Sequence, residues 1–296
     1  MKTWLILDVN YLCRRAFYSA RGKLSYGDVK TGVIFGVMSD VLELQETFRT
    51  NDVIFCFDCG RGIRKDIYEG YKAKRHGGHG PDMRTDEERK VEEEYQQQVY
   101  LLRTLYLKMM GFNNVFFAKG FESDDIMVQV ARSLPRTDEV ILVTADHDLY
   151  QAIDGLIQMY DPKTRATTSA NAFRREYDGL PPMAWWKVLC LAGCKTDEVP
   201  GIHGIGKTSA VKYLMGTLKG KKLELIQSIV NSKAGKELLK RNRRLVKLPL
   251  EGTPEFTLRE DTISEEGWRK VANLIGAKTL IEKMPRRQTK KKTLFN

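Results

Sequence analysis

A basic chain that gathers carboxylates at a few positions needs something to neutralise them. Glu122, Asp124 and Asp125 open one predicted helix, and Asp146 and Asp148 follow the predicted strand Val140-Ile-Leu-Val-Thr144. Residues three apart on a helix share a face, so Glu122 and Asp125 can point one way with Asp124 beside them. The period of two in extended chain puts Asp146 and Asp148 on one side. Crowded carboxylates repel unless some are protonated or a divalent cation neutralises them, and an all-oxygen donor set suits Mg²⁺ or Mn²⁺. Taken singly, each group also fits a plainer role, capping a helix N-terminus or lining a solvated turn. Two more aspartates weigh against that: Asp8 follows the apolar run Trp4-Leu-Ile-Leu7, and Asp58 follows Val53-Ile-Phe-Cys-Phe57. Acidic groups at the ends of successive apolar strands are how an open α/β sheet presents ligands at the carboxyl edge of its strands.

The elements that must position these groups follow in βαβ order. The first strand ends at Asp8 and feeds a mixed apolar and basic helix beginning at Val9, with Arg14 and Arg15 close to Asp8. A glycine- and lysine-bearing loop around Gly22 to Lys30 leads to a helical pattern from Thr31 to Leu44, then to the strand ending in Asp58. Beyond it Arg61, Arg64, Lys65, Lys72, Lys74 and Arg75 are interleaved with Tyr68 and Tyr71. Cations with rings between them suit a single-stranded backbone, phosphates on the cations and bases stacked on the rings, and they also suit a solvated loop face. Gly77-Gly-His-Gly-Pro81 breaks the chain; His76 and His79 beside it make a poor preformed metal site. Thr85-Asp-Glu-Glu88 has capping-box spacing and starts a helix running to Met110, stopped by Gly111. Leu156-Ile-Gln-Met-Tyr160 reads as a further strand, and Trp185 to Ala192 as a helix whose tryptophans pack. Gly204-Ile-Gly206, followed by Lys207 and a helical pattern, has the form of a helix-hairpin-helix turn, in which glycines let the backbone approach phosphate and helix N-terminal N–H groups donate. Gly201 to Thr208 also matches the bare P-loop pattern, but a helix rather than a buried strand precedes it.

The 296 residues, 42% hydrophobic, suffice for a sizeable core in one large or two modest domains. A formal charge of +11 points to a polyanion, with nucleic acid ahead of a membrane surface. The N-terminus lacks the features of a signal peptide, no apolar run approaches a membrane span, and a cytoplasmic location is expected, in the host if the source is a phage. Five cysteines, Cys13, Cys56, Cys59, Cys190 and Cys194, form no framework and are expected reduced and structural.

Asp8, Phe57-Asp58, Tyr71-Lys72 with Arg75, Glu122-Ser-Asp-Asp125, Thr144-Ala-Asp-His-Asp-Leu149 and the stretch from Asp197 to Gly206 together resemble the structure-specific 5′ nuclease (flap endonuclease) family, over roughly residues 1–215. The similarity is greatest to bacteriophage 5′ nucleases, phage ribonuclease H and the 5′ nuclease domain of bacterial DNA polymerase I. It implies an α/β fold, a central mostly parallel mixed sheet flanked by helices (a PIN-like core), with a helical arch and a helix-hairpin-helix element. The expected division is a nuclease core over 1–180 with the arch at about 60–100, a helical DNA-binding region over 181–282 with the hairpin at about 193–215, and a basic tail over 283–296.

The resemblance also implies a monomeric phosphodiesterase using two Mg²⁺ ions, replaceable by Mn²⁺, with K⁺ as a candidate ion at the hairpin. Asp8, Asp58, Glu122 and Asp124 are expected mainly at the tighter ion, with Asp125, Asp146, Asp148 and Asp197 at the second. Lys72 and Arg75 take catalytic roles at the arch base; Arg15, Arg61, Arg64, Lys65, Tyr71, Gly204, Gly206 and Lys207 contact DNA. Expected partners are DNA with a 5′ flap or free 5′ end, an RNA–DNA hybrid, and a replication protein docked on the tail; no membrane is involved. The chain departs from the family at Cys194, where members carry an aspartate three residues before the equivalent of Asp197. The competing readings are a non-catalytic DNA-binding protein and a PIN-type ribonuclease, neither of which needs both the acidic cluster and the hairpin.

Overall fold

A computed structural model of the chain describes residues 1–60, 62–73 and 84–282. Strand β1 (Thr3–Asp8) runs straight into α1 (Val9–Phe17), with Asp8 as the helix N-cap. The short strands β2 (Ser25–Tyr26) and β3 (Val29–Lys30) fill the loop before α2 (Gly32–Phe48), and β4 (Asp52–Cys56) precedes the single turn α3 (Arg64–Ile67). The expected capping box opens α4 (Asp86–Leu101): Thr85 Oγ1 accepts from Glu88 N at 3.1 Å, and Glu88 Oε2 accepts from Thr85 N at 2.8 Å. That helix continues through a π-helical turn at Leu102–Tyr106 into α5 (Leu107–Met110). Gly111 ends it at φ 94°, where any side chain would also meet the carbonyl of Thr262.

The α/β half closes with β5 (Val115–Phe116), α6 (Ser123–Ser133), β6 (Glu139–Val143), β7 (Ile157–Asp161), β8 (Ala166–Thr168) and α7 (Ala170–Glu176). Then come α8 (Trp185–Ala192), the hairpin strands β9 (Gly193–Cys194) and β10 (Val199–Pro200), and α9 (Lys207–Leu214). Within the helical region expected over 181–282, the chain breaks at Ser232 between α10 (Lys221–Asn231) and α11 (Lys233–Val246), because the Ser232 hydroxyl accepts from Gly235 N at 3.0 Å and starts a new helix. The last two are α12 (Glu265–Leu274) and α13 (Lys278–Glu282).

The main sheet has the order β5-β4-β1-β6-β7-β8, parallel except for the β7–β8 pair. Its central strand pairs Leu7 with Phe55 on one side and Val143 on the other, so the chain order reverses at β1 and a crevice opens at its carboxyl end. Both faces are covered, which is why the strands read as continuous apolar runs. Leu5, Leu7, Val53, Phe55, Ile141 and Val143 face one apolar layer; Ile6, Ile54, Val140 and Leu142 face the other. The first layer also takes Trp268 of α12, whose ring lies 6.3 Å from that of Phe112, so α12 packs back onto the α/β half of the molecule. Among the described residues no helix is long and apolar enough to cross a membrane, and all five cysteines are free thiols.

Candidate active site

Three strand ends deliver the first carboxylates. Asp8 leaves β1 at the N-terminus of α1, where its Oδ1 accepts from Tyr11 N at 3.2 Å and from the Ser123 hydroxyl at 3.1 Å, and its Oδ2 from the Thr144 hydroxyl at 3.1 Å. Asp58, just past β4, accepts from Ser123 N at 2.7 Å through Oδ1. Its own amide donates to Asn10 Oδ1 at 3.0 Å. Asp146, past β6, caps the following 3-10 turn by accepting from Asp148 N at 2.9 Å, while the Thr144 hydroxyl accepts from Asp146 N at 3.1 Å.

The other wall comes from α6 and the hairpin. Glu122, the N-cap of α6, accepts from Lys72 Nζ at 2.8 Å and from the Tyr71 hydroxyl at 2.8 Å. That same hydroxyl lies 2.9 Å from Asp197 Oδ2, and Lys72 Nζ is 3.6 Å from Asp197 Oδ1. Lys72 is fixed by its backbone too, at φ 49° with its N–H on the Asp197 carbonyl at 3.0 Å, a left-handed conformation that a non-glycine residue adopts at a cost. Asp148 is 8% exposed and takes the Cys194 thiol at 3.4 Å. The ligand atoms of Asp148, Cys194 and Asp197 all lie within 4.8 Å of one another.

The electrostatics fit a divalent cation. Burial, then the neighbouring Asp58, push the Asp8 carboxyl up to about 7; burial, then Asp146 and Asp197, push that of Asp148 up to about 7. Burial and the nearby Glu122 raise Asp124 well above the carboxylate range. Burial of its carboxyl among its neighbours raises Asp58 as well, although the residue as a whole is exposed to solvent. Glu122 goes the other way: burial would raise it, and Lys72 and Arg64 beside it outweigh that and hold it low. Several acids raised in one crevice are negative charge short of positive charge, which a hard divalent ion supplies.

A family described as "5'-3' exonuclease, N-terminal resolvase-like domain" matches residues 3–178, more than half of the chain. The chain belongs to that family. Thermostable DNA polymerase I of Thermus thermophilus is 27% identical over 293 residues, covering 95% of this chain and 32% of the polymerase. DNA polymerase I of Chloroflexus aurantiacus is 29% identical, covering 71% of this chain and 22% of its own length. The chain thus spans less than a third of these relatives. Among solved structures, the T5 5′-exonuclease with bound divalent metal ions (zinc) superposes with a TM-score of 0.68 at 18% identity, over 95% of this chain and 97% of that one. The catalytic core of Rad2 in complex with DNA substrate does so with a TM-score of 0.52 at 14% identity, over 95% and 90%. The resolvase-like sheet and its flanking helices agree with the expected α/β class.

Within this exonuclease-family fold, three residues take places other than the expected ones. Asp125, expected at the second ion, is 0% exposed, and all its acceptor capacity is used. Oδ2 accepts from Arg64 Nη1 at 2.6 Å and Glu122 N at 3.3 Å; Oδ1 accepts from Arg64 Nη2 at 2.7 Å and Leu250 N at 2.7 Å. Arg64, expected on DNA, is 1% exposed and also donates Nε to the Leu245 carbonyl at 2.7 Å. Tyr71, expected to offer a ring to bases, is 2% exposed and uses its hydroxyl to bridge Glu122 and Asp197. Arg15 pairs with Asp40 at 3.3 Å and keeps about a third of its side chain, 34%, exposed; Lys65 is half-buried on α3. Arg61, Arg75 and the tail over 283–296 lie outside the described residues.

The hairpin connecting α8 to α9 depends on close backbone approach. A Cβ on Gly193 would fall 2.4 Å from the Val199 carbonyl, and one on Gly201 would fall 2.2 Å from the Ala192 carbonyl carbon. Gly204 turns the chain at φ 78° with open space around it, and Gly206 is an N-cap with no side chain, leaving the first N–H groups of α9 accessible beside Lys207. Sequence reasoning gave no role in the crevice to Ser123, Thr144, Asn10 or Arg103, which orient Asp8 and Asp58; Arg103 donates to the Asp58 carbonyl at 3.3 Å from the π-helical turn. The signal for Ser123 and Thr144 is there to read, a hydroxyl embedded in each acidic motif.

Proposed function

We propose that this chain hydrolyses DNA phosphodiester bonds near junctions of single and double strand, as a divalent-metal-dependent 5′ to 3′ exonuclease and flap endonuclease. The observation that carries this reading is a lysine held at the edge of a carboxylate crevice, Lys72 Nζ lying 2.8 Å from Glu122 and 3.6 Å from Asp197. Asp8, Asp58, Glu122 and Asp124 would hold the tighter Mg²⁺ or Mn²⁺, and Asp146, Asp148 and Asp197 a second divalent cation. Bound ions of this kind lower the pKa of a coordinated water and stabilise the attacking and leaving oxygens of a phosphoryl centre. Ser123, Thr144 and the Tyr11 amide fix the orientation of Asp8. Lys72 faces the charge that grows on the scissile phosphate, a contact of a kind worth about 2.7–4 kcal/mol.

The N-terminus of α9, with Gly204, Gly206 and Lys207, would hold duplex phosphates by backbone N–H groups, with K⁺ as a candidate bridging ion. Arg15, Arg61, Lys65 and Arg75 would line the path of the single strand. Phosphate contacts carry no base identity, so selection is by DNA shape, and an RNA–DNA hybrid fits the same surface. The division at about residue 180, action as a monomer, and docking of the 283–296 tail on a replication protein belong to the same reading. The test is cleavage of a 5′-labelled flap against unstructured RNA in Mg²⁺. Cleavage confined to the flap, lost with chelator and with Asp58→Asn, is the expected result; equal cleavage of the RNA, or flap cleavage surviving both treatments, rejects it.

A further inference from the structure

The far end of the crevice is not all oxygen. Cys194 Sγ lies 3.4 Å from Asp148 Oδ2 and 3.0 Å from the Thr196 hydroxyl. One ligand atom each from Asp148, Cys194 and Asp197 falls within 4.8 Å of the others, and all three residues are buried. The three come from separate places, the 3-10 turn after β6, strand β9 and the β9–β10 connection. The β9–β10 pairing of Cys194 with Val199 fixes the thiol in that position. Three protein ligands with one position left open is the donor count of a zinc site that accepts a substrate or water oxygen. A thiolate selects soft and borderline cations over Mg²⁺, which favours carboxylate, carbonyl and water oxygens.

We propose that Asp148, Cys194 and Asp197 form a thiophilic cation site that takes Zn²⁺ or Cd²⁺ in preference to Mg²⁺, while the Asp8 and Asp58 end keeps an all-oxygen preference. The site's place beside the first ion rests on the nuclease reading above; the binding itself does not. On binding, the Cys194 S–H bond breaks, the sulfur lone pair forms the S–metal bond, and the proton leaves to solvent by way of Asp148, the acceptor of that hydrogen. Asp197 keeps Tyr71 and Lys72 as outer contacts that orient it.

The test is a Cd²⁺ titration of the full chain, followed by the ultraviolet thiolate-to-cadmium charge-transfer band. The band should saturate at one equivalent, be displaced by Zn²⁺ and withstand excess Mg²⁺, and be lost in Cys194→Ser. Cys194→Asp, which restores an all-oxygen donor set, should also lack the band and bind Mn²⁺ more tightly by electron paramagnetic resonance; it decides the question if the serine variant does not fold. The proposal is overturned if the wild-type chain shows no band, if the band persists undiminished in the variants, or if Mg²⁺ displaces Cd²⁺. Failure of the nuclease reading would show up separately, as an intact band with no flap cleavage in Mg²⁺ whether or not one equivalent of Zn²⁺ is added.

Discussion

Arg64 grips Asp125 with both guanidinium nitrogens, at 2.6 and 2.7 Å, in a pair with almost no solvent contact. The same two side chains hold the Leu245 carbonyl and the Leu250 amide, so they tie α3, α6, the last turn of α11 and the segment after it together. Removing one partner of a buried pair strands the other charge, at a cost of about 3–5 kcal/mol. Arg64→Ala and Asp125→Ala are therefore expected to lower the denaturation midpoint sharply while the folded fraction keeps its Mn²⁺ affinity. Ligation by Asp125 would instead appear as lost affinity at little cost in stability.

The metal-free protein should lose stability as pH rises. Burial and neighbouring carboxylates push Asp8 and Asp148 up to about 7 in the fold, against about 3.9 for an aspartate in the unfolded chain, so the native state keeps protons between about 4 and 7 that the unfolded chain has released. Stability is greatest below that window and falls through it; a divalent ion, by displacing those protons, restores it. Melting temperatures in chelator at pH 5 and pH 8, with and without Mg²⁺, measure this. Asp8→Asn should flatten part of the decline, and an apoprotein that gains stability from pH 5 to 8 as steeply as its Asp8→Asn variant does would rule the account out.

Lys72→Ala should slow the chemical step without abolishing substrate binding. Loss of one preorganised donor at a developing charge costs about 10²–10³ in rate. Single-turnover cleavage of a flap reads this directly, with affinity measured by fluorescence anisotropy in Ca²⁺. A variant weakened only in affinity would place Lys72 in binding.

Gly204→Ala tests the hairpin. Nothing lies near the added methyl group, so the cost is that of holding a side chain at φ 78°, roughly 1–2 kcal/mol. Duplex affinity should fall and its salt dependence flatten, while affinity for a single strand is unchanged. Equal loss for both would remove the hairpin from duplex recognition.

Local sequence patterning determined much of this protein. Apolar runs fixed β1, β4 and β6, and the aspartates ending or following them could only emerge at the same edge of a parallel sheet. The Thr85 capping box and the Gly204 turn are encoded within a few residues, so they too were legible. Tertiary packing alone decided which member of Glu122-Ser-Asp-Asp125 faces the crevice and which faces Arg64, because the helical period gives relative direction and not the identity of the neighbour. It likewise turned Tyr71 inward and brought Trp268 back onto Phe112, contacts between residues far apart in the chain that no local spacing records.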